Sequence, residues 1–481
     1  MRGRRGVVWL LLACCGCAVG PNFARPLSPS ADRYGPDAIP SQFGAASGEE
    51  QRVQLGQEIK GRWWSLFQSP EIDELLERAI AGNRTLVAAR ATLAQAHDAV
   101  AAARGEFVPQ VTGSANAQRS RSPRIESAFT TGSAVSNLYS VGVGVSYALD
   151  VFGGVRRTVE ERKAQAKAAG YELAAAYLTL TGNAVTQAIA IASLRAQIDA
   201  SEQIVAGDAD NLALVERRFE AGKAARSEVL TARTQLAADQ APLPTLRQQL
   251  AAARHALSVI AGELPADWAP PDFDLADLTL PSDLPISLPS ELVGRRPDIR
   301  AAEAQLHAAS AAIGVATAQL FPSITLSGSV GSEALKTAAL FSGPAAAWAL
   351  AADATTPILR GGTLWAERRA AIDAYDASLA SYQQTVQQGF QQVADLLQAL
   401  QHDHELIAAQ RDLYDTSSES LRVERIGYEA GKIDALHLID AQRSFQQASL
   451  GLARAQAQRL GDSALLLVAV GGGWSDGDTS L

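Results

Sequence analysis

The chain has 481 residues, more than one ordinary domain usually holds, and 47% of them are apolar, enough for a large core. Its net charge of −9 argues against nucleic acid as a partner, because that demands a basic face. Its 3 cysteines, Cys14, Cys15 and Cys17, all stand near the N-terminus, and its 6 histidines are scattered, so no disulfide framework, metal site or cofactor is expected.

Arg2, Arg4 and Arg5 precede an apolar run from Val7 to Leu12, which reads as an export signal over residues 1–16. The run is too short to span a membrane, and no later segment reaches the ~18 or more apolar residues that a spanning helix needs. The end of the run resembles a bacterial lipobox, with Cys14 and Cys17 as alternative lipidation positions. Residues 17–60 then form a lipid-anchored N-terminal segment.

The rest is a duplication, with a first repeat at 61–261 and a second at 291–473, joined by a Pro-rich stretch at 262–290 and followed by a tail at 474–481. Phe219-Glu220-Ala221-Gly222-Lys223 recurs 209 residues later as Tyr428-Glu429-Ala430-Gly431-Lys432. Each repeat opens with a short helix and two strands, expected at about 107–119 and 137–151, then at about 321–332 and 345–359. Apolar and polar residues alternate, as where Val141, Val143, Val145 and Tyr147 interleave with Ser140, Gly142, Gly144 and Ser146. That period fits a transmembrane barrel strand and equally a half-buried soluble sheet.

Long helical hairpins follow at 154–261 and 361–470. A seven-residue spacing joins Tyr177, Ala184, Ile191, Ile198, Val205, Leu212 and Phe219 in the first. In the second it joins Trp365, Ile372, Leu379, Val386, Val393, Leu400, Ile407, Tyr414, Leu421 and Tyr428. Sustained heptads mean coiled-coil packing, and helices of about 65 residues reach on the order of 100 Å. Each hairpin turns at a glycine, Gly222 or Gly431, and one helix returns, with Leu236, Leu243, Leu250 and Leu257 in heptad spacing in the first repeat. The Pro-rich stretch reads as a linker wrapped over the surface. Four strands cannot close a pore, and three chains form the smallest cyclic assembly that does so with a usable lumen.

Leu288 to Glu303, reading LPSELVGRRPDIRAAE, resembles the signature of the TolC-type outer membrane factor family in its NodT-like lipoprotein branch. So do Cys17 to Phe23, Trp63-Trp64, Leu149 to Gly153, Asp440 to Arg443 and Gly471 to Trp474. The start at Cys17 favours that residue over Cys14 for lipidation. The resemblance implies a mixed α/β, mostly α, homotrimer: a 12-stranded outer-membrane barrel with four strands per chain, continued by a helical periplasmic tunnel. It implies a passive exit duct for drugs or other small molecules, set in outer-membrane lipid, with a periplasmic adaptor protein and an RND-type inner-membrane pump as partners. A type I protein secretion duct is the alternative, and a non-conducting periplasmic coiled-coil lipoprotein a more distant one. No enzyme motif such as Gly-x-Ser-x-Gly, a phosphate loop or His-Glu-x-x-His is present.

The resemblance also assigns sites. The turns Gly222-Lys223 and Gly431-Lys432 meet the adaptor. Asp440, with Leu436 and Arg443 one turn to either side, lines the periplasmic constriction. Ser227, Glu228 and Tyr428 are the matching positions for the polar latch. Some members carry an arginine two residues after the second turn glycine, where this chain has Ile433.

Overall fold

The computed structural model describes residues 18–27, 33–35, 39–44, 50–57, 59, 61–121 and 135–474. Cys14, Cys17, the signal segment and all of the tail after Trp474 lie outside them. The chain divides into two compact units: one takes residues 1–26, 92–169 and 301–383, the other 27–91, 170–300 and 384–481.

The first unit carries a four-stranded antiparallel sheet. Its strands are β3 (Gln110–Arg121), β4 (Val135–Leu149), β6 (Ser323–Ala334) and β7 (Ala346–Thr355), in that spatial order. The register aligns Gly113, Val143, Val330 and Trp348 across all four, and Val111, Val145, Gly328 and Leu350 in the next row of the same face. This face is apolar and open, with Val330 63%, Trp348 76% and Leu350 80% exposed. The opposite face pairs Thr112 with Gly144 and Ser329, and Gln110 with Ser146 and Ser327. Prolines trim the expected strands. Pro109, Pro322 and Pro357 have no N–H for a ladder, so β3 and β6 start just after the first two, and β7 stops at Thr355, ahead of the third, rather than at 359.

Two helices of 67 residues, α3 (Gly154–Glu220) and α8 (Thr363–Glu429), stand in register at the 209-residue offset. The heptad positions Ala184, Ile191, Ile198, Val386, Val393, Leu400, Ile407 and Tyr428 are buried, whereas the ends of the ladder, Phe219 and Trp365, are exposed. The return differs between repeats. In the second it is one helix, α9 (Ala435–Ala469). In the first it is two, α4 (Arg226–Gln240) and α5 (Leu243–Ile260), not the single helix its leucine spacing suggested. Pro242 and Pro244 lack the N–H groups that a continuous helix needs there.

The second unit also corrects the reading of the linker. Asp283–Ile286 forms strand β5, parallel to β2 (Gln51–Leu55), which itself pairs with β1 (Gln42–Phe43). Leu284 and Ile286 are fully buried, and Phe273 and Leu278 join a core with Trp63, Trp64 and Phe67. Phe273, Leu278, Leu284 and Ile286 are thus turned into the core, while Leu264, Asp272 and Asp277 stay exposed, so the stretch lies only partly on the surface. Helices α1 (Pro70–Gly82), α2 (Arg84–Gly105), α6 (Pro289–Arg295) and α7 (Pro297–Ala318) complete the chain. In the Arg-Arg-Pro-Asp segment, Arg296 donates to the Ala469 carbonyl at 2.9 Å and to Gln392 at 3.0 Å, tying α8 to α9.

Candidate functional site

Both hairpin turns close in the same way. Gly222 and Gly431 each have φ +69°, a left-handed conformation that a side chain would strain. Each glycine N–H bonds back three residues, at 2.9 and 3.0 Å, and the following lysine N–H bonds back five, at 2.7 and 2.8 Å. These bonds satisfy the last carbonyls of the long helices. Lys223 and Lys432 are left exposed at the tips.

The helix starts after the turns differ. Asp434 caps α9, accepting from the N–H groups of Leu436 and His437 and from His437 Nδ1 at 2.7 Å. The His437 bond holds the Asp434 carboxyl below its usual range and raises the imidazole. In the first repeat Ala225 occupies the cap, and Glu228 accepts from its N–H at 2.8 Å. Glu228 therefore spends its carboxylate on its own helix, and Ser227 is exposed one residue before it.

Tyr428 is 1% exposed, in a cluster with Val215, Val229, Ala232 and Leu438 that packs the two tips together. Burial raises its phenol, and Arg218 opposes the shift. Leu436, Asp440 and Arg443 share the exposed face of α9, while Leu438, Ile439, Ala441 and Gln442 face inward. Arg443 Nε donates to Gln235 Oε1 at 3.1 Å, reaching from the second repeat to the first. Ile433 packs against the tip cluster, so the position that carries an arginine in some members is apolar here.

Deeper in the hairpins lie two carboxyl pairs that the sequence reading missed, Asp208 with Asp239 and Asp403 with Asp462. Burial, then the partner carboxyl, pushes Asp208 up to about 8 and Asp403 up to about 7. Asp208, Asp239 and Asp403 each stand three residues after a position of a heptad ladder, where a coiled coil wants apolar side chains. A charge at that spacing was the available signal.

A sheet with an open apolar face and duplicated coiled-coil hairpins are both parts that a membrane channel continuing into water would use. The chain belongs to the outer membrane efflux protein family, whose pattern matches it twice, at residues 75–263 and 288–472, once per repeat. Among its relatives, the outer membrane protein OprJ of Pseudomonas aeruginosa is 30% identical, with 98% of this chain and 96% of OprJ covered. The pyoverdine export outer membrane protein OpmQ of the same species is 30% identical, with 97% and 95% covered. The solved structure of the outer-membrane channel OprN superposes with a TM-score of 0.86 at 28% identity, covering 95% of this chain and all of that one.

Proposed function

We propose that three copies of this chain form the outer-membrane exit duct of a tripartite efflux pump for small molecules. The observation that carries it is the open apolar face of the β3-β4-β6-β7 sheet. No helix among the described residues is long and apolar enough to cross a membrane, so the sheet is the part suited to lipid. In a single chain β3 and β7 each have one neighbour, and pairing them between chains closes the ring: three chains of four strands make twelve. The long hairpins then form the periplasmic tunnel, its tips meeting an adaptor and, through it, an RND-type pump. Relatives named for efflux pumps and for pyoverdine export favour small-molecule cargo over secreted protein.

Lipidation at Cys17 fits the local packing. Ala18 lies against Gly153, in the turn after β4, so closely that a side chain there would collide with it. Val19 N–H bonds the Phe152 carbonyl at 3.0 Å, and Arg157 donates to the carbonyls of Val19 and Gly20 and to Asn22. The chain just after Cys17 is thereby fastened where the sheet ends, beside the inner leaflet in this reading.

At the tip, Leu436, Asp440 and Arg443 become rings under three-fold symmetry. A ring of carboxylates in a narrow throat attracts cations and repels anions. The test is a deletion strain scored for drug susceptibility. Hypersensitivity restored by the intact gene supports the efflux duct, and unchanged susceptibility with loss of an exported protein would point to secretion instead.

A further inference from the structure

We propose that Asp208 and Asp239 hold one proton between them, and that this proton, relayed through Gln235, decides whether Arg443 stays bonded to the first repeat. The link to conduction rests on reading Arg443 as part of the gate; the shared proton does not.

Asp208 on α3 is 2% exposed, and neither of its oxygens meets a hydrogen-bond donor from the chain. Its carboxyl faces that of Asp239 on α4, itself 5% exposed. Two ionised carboxylates repel, and they have nothing to donate to each other. One proton between them turns the repulsion into a hydrogen bond. Asp239 Oδ2 also accepts from Gln235 Nε2 at 2.6 Å, which fixes the orientation of the amide. The other end of that amide, Oε1, receives Arg443 Nε. Three bonds in series thus connect a buried proton on the first hairpin to an exposed arginine on the second.

The surroundings supply a way for the proton to leave. A cavity of about 330 Å³ borders Asp208. Gln442 Oε1 stands in its wall, buried and without a partner. From α8, Arg425 reaches the cavity beside Gly207, and Arg422 lies there paired with Glu419. From α9 the uncharged Gln442 and Phe445 line it, and Arg443 stands outside, on Gln235. When the proton leaves, the two charges separate. Asp208 turns to Arg425 across the cavity, Asp239 shifts, and the bridge to Arg443 breaks. Acid therefore keeps the bridge and alkali releases it. At the 209-residue offset the second repeat has buried Ser417 and Ala448, so the device belongs to the first hairpin alone.

The experiment uses the full chain in two measurements. In planar bilayers, closed-state conductance of the wild type rises on the order of threefold from about pH 5 to about pH 9. It stays flat in Asp208→Asn, Asp239→Asn and Gln235→Leu. In infrared spectra near neutral pH, the protonated-carboxyl band falls by about half in either aspartate variant, the other pair supplying the rest, and survives in Gln235→Leu. An undiminished band in both aspartate variants overturns the shared proton. A pH step that persists in Gln235→Leu overturns the relay. Arg443→Ala tests the gate reading separately: unchanged conductance with the band behaving as stated removes the gate link and leaves the proton pair standing.

Discussion

The guanidinium of Arg218, near the end of the first long helix, sits 4.7 Å from the centre of the Tyr428 ring, near the end of the second. Its Nη1 also donates to the Tyr428 carbonyl at 3.2 Å, so a single side chain holds both the ring and the backbone of its counterpart in the other repeat. The expected cost of Arg218→Ala is about 1–3 kcal/mol, from the lost cation–π contact and charge-assisted bond. Tyr428→Phe is expected to be nearly neutral, because the hydroxyl finds no hydrogen-bond partner. Tyr428→Ala empties a buried site and costs about 3–5 kcal/mol. Melting in detergent checks the order of the three.

The turn glycines make a symmetric pair of tests. Alanine at Gly222 or Gly431 must adopt the left-handed conformation at about 1–2 kcal/mol. Nothing lies within 4 Å of an added Cβ at either position, so the penalty is one of backbone strain alone. Hydrogen exchange at Lys223 and Lys432 N–H is expected to speed up in the matching variant and stay unchanged at the other tip.

The open sheet face is expected to reject charge. Val330→Arg places a guanidinium in the row shared by Val143 and Trp348, at a cost of about 2–4 kcal/mol if that row lies near the bilayer midplane. Ser329→Arg, one residue away on the polar face, is expected to assemble normally. Heat-modifiable trimer migration on gels separates the two.

The second carboxyl pair governs stability against pH. Asp403 is buried and accepts from Gln458 at 2.6 Å, and Arg459, next to that glutamine, reaches Gln51 of β2 at 3.1 Å. Its carboxyl is raised from the usual range to about 7, so the folded state binds the proton more tightly than the unfolded chain does. The stability from that proton is complete below the ordinary carboxylate range and is lost as pH climbs through about 7. Asp403→Asn cannot titrate, so at pH values above 7 it is expected to melt higher than the wild type, by about 1–3 kcal/mol. At pH 4 the advantage should vanish, and melting curves at both pH values check the sign.

How much of this was written in the sequence depends on the kind of pattern. Repetition was legible: the Glu-Ala-Gly-Lys turns and a strict heptad ladder stand 209 residues apart, and helices of equal length formed on them. Alternation in β4 gave the strand and its apolar side, whereas the row that Val143 shares with Val330 and Trp348 appears only in the folded register. The break at Pro242 was readable and was overridden by the leucine spacing around it. The buried linker strand was not, because β2 that receives it lies some 230 residues earlier. At the candidate gate, the shared face of Leu436, Asp440 and Arg443 follows from helical spacing, whereas the Arg443–Gln235 and Arg218–Tyr428 contacts join residues about 210 positions apart that no local pattern links.

The most direct test of a trimeric exit duct with its constriction at the hairpin tips is single-channel recording of the purified full chain in planar bilayers, wild type beside Asp440→Ala. The expected wild type shows a small, cation-favouring closed-state conductance that divalent cations block, and the variant a larger one with weaker block. A trimer that conducts identically with and without the Asp440 carboxylate would contradict the constriction, and a chain that never conducts would contradict the duct.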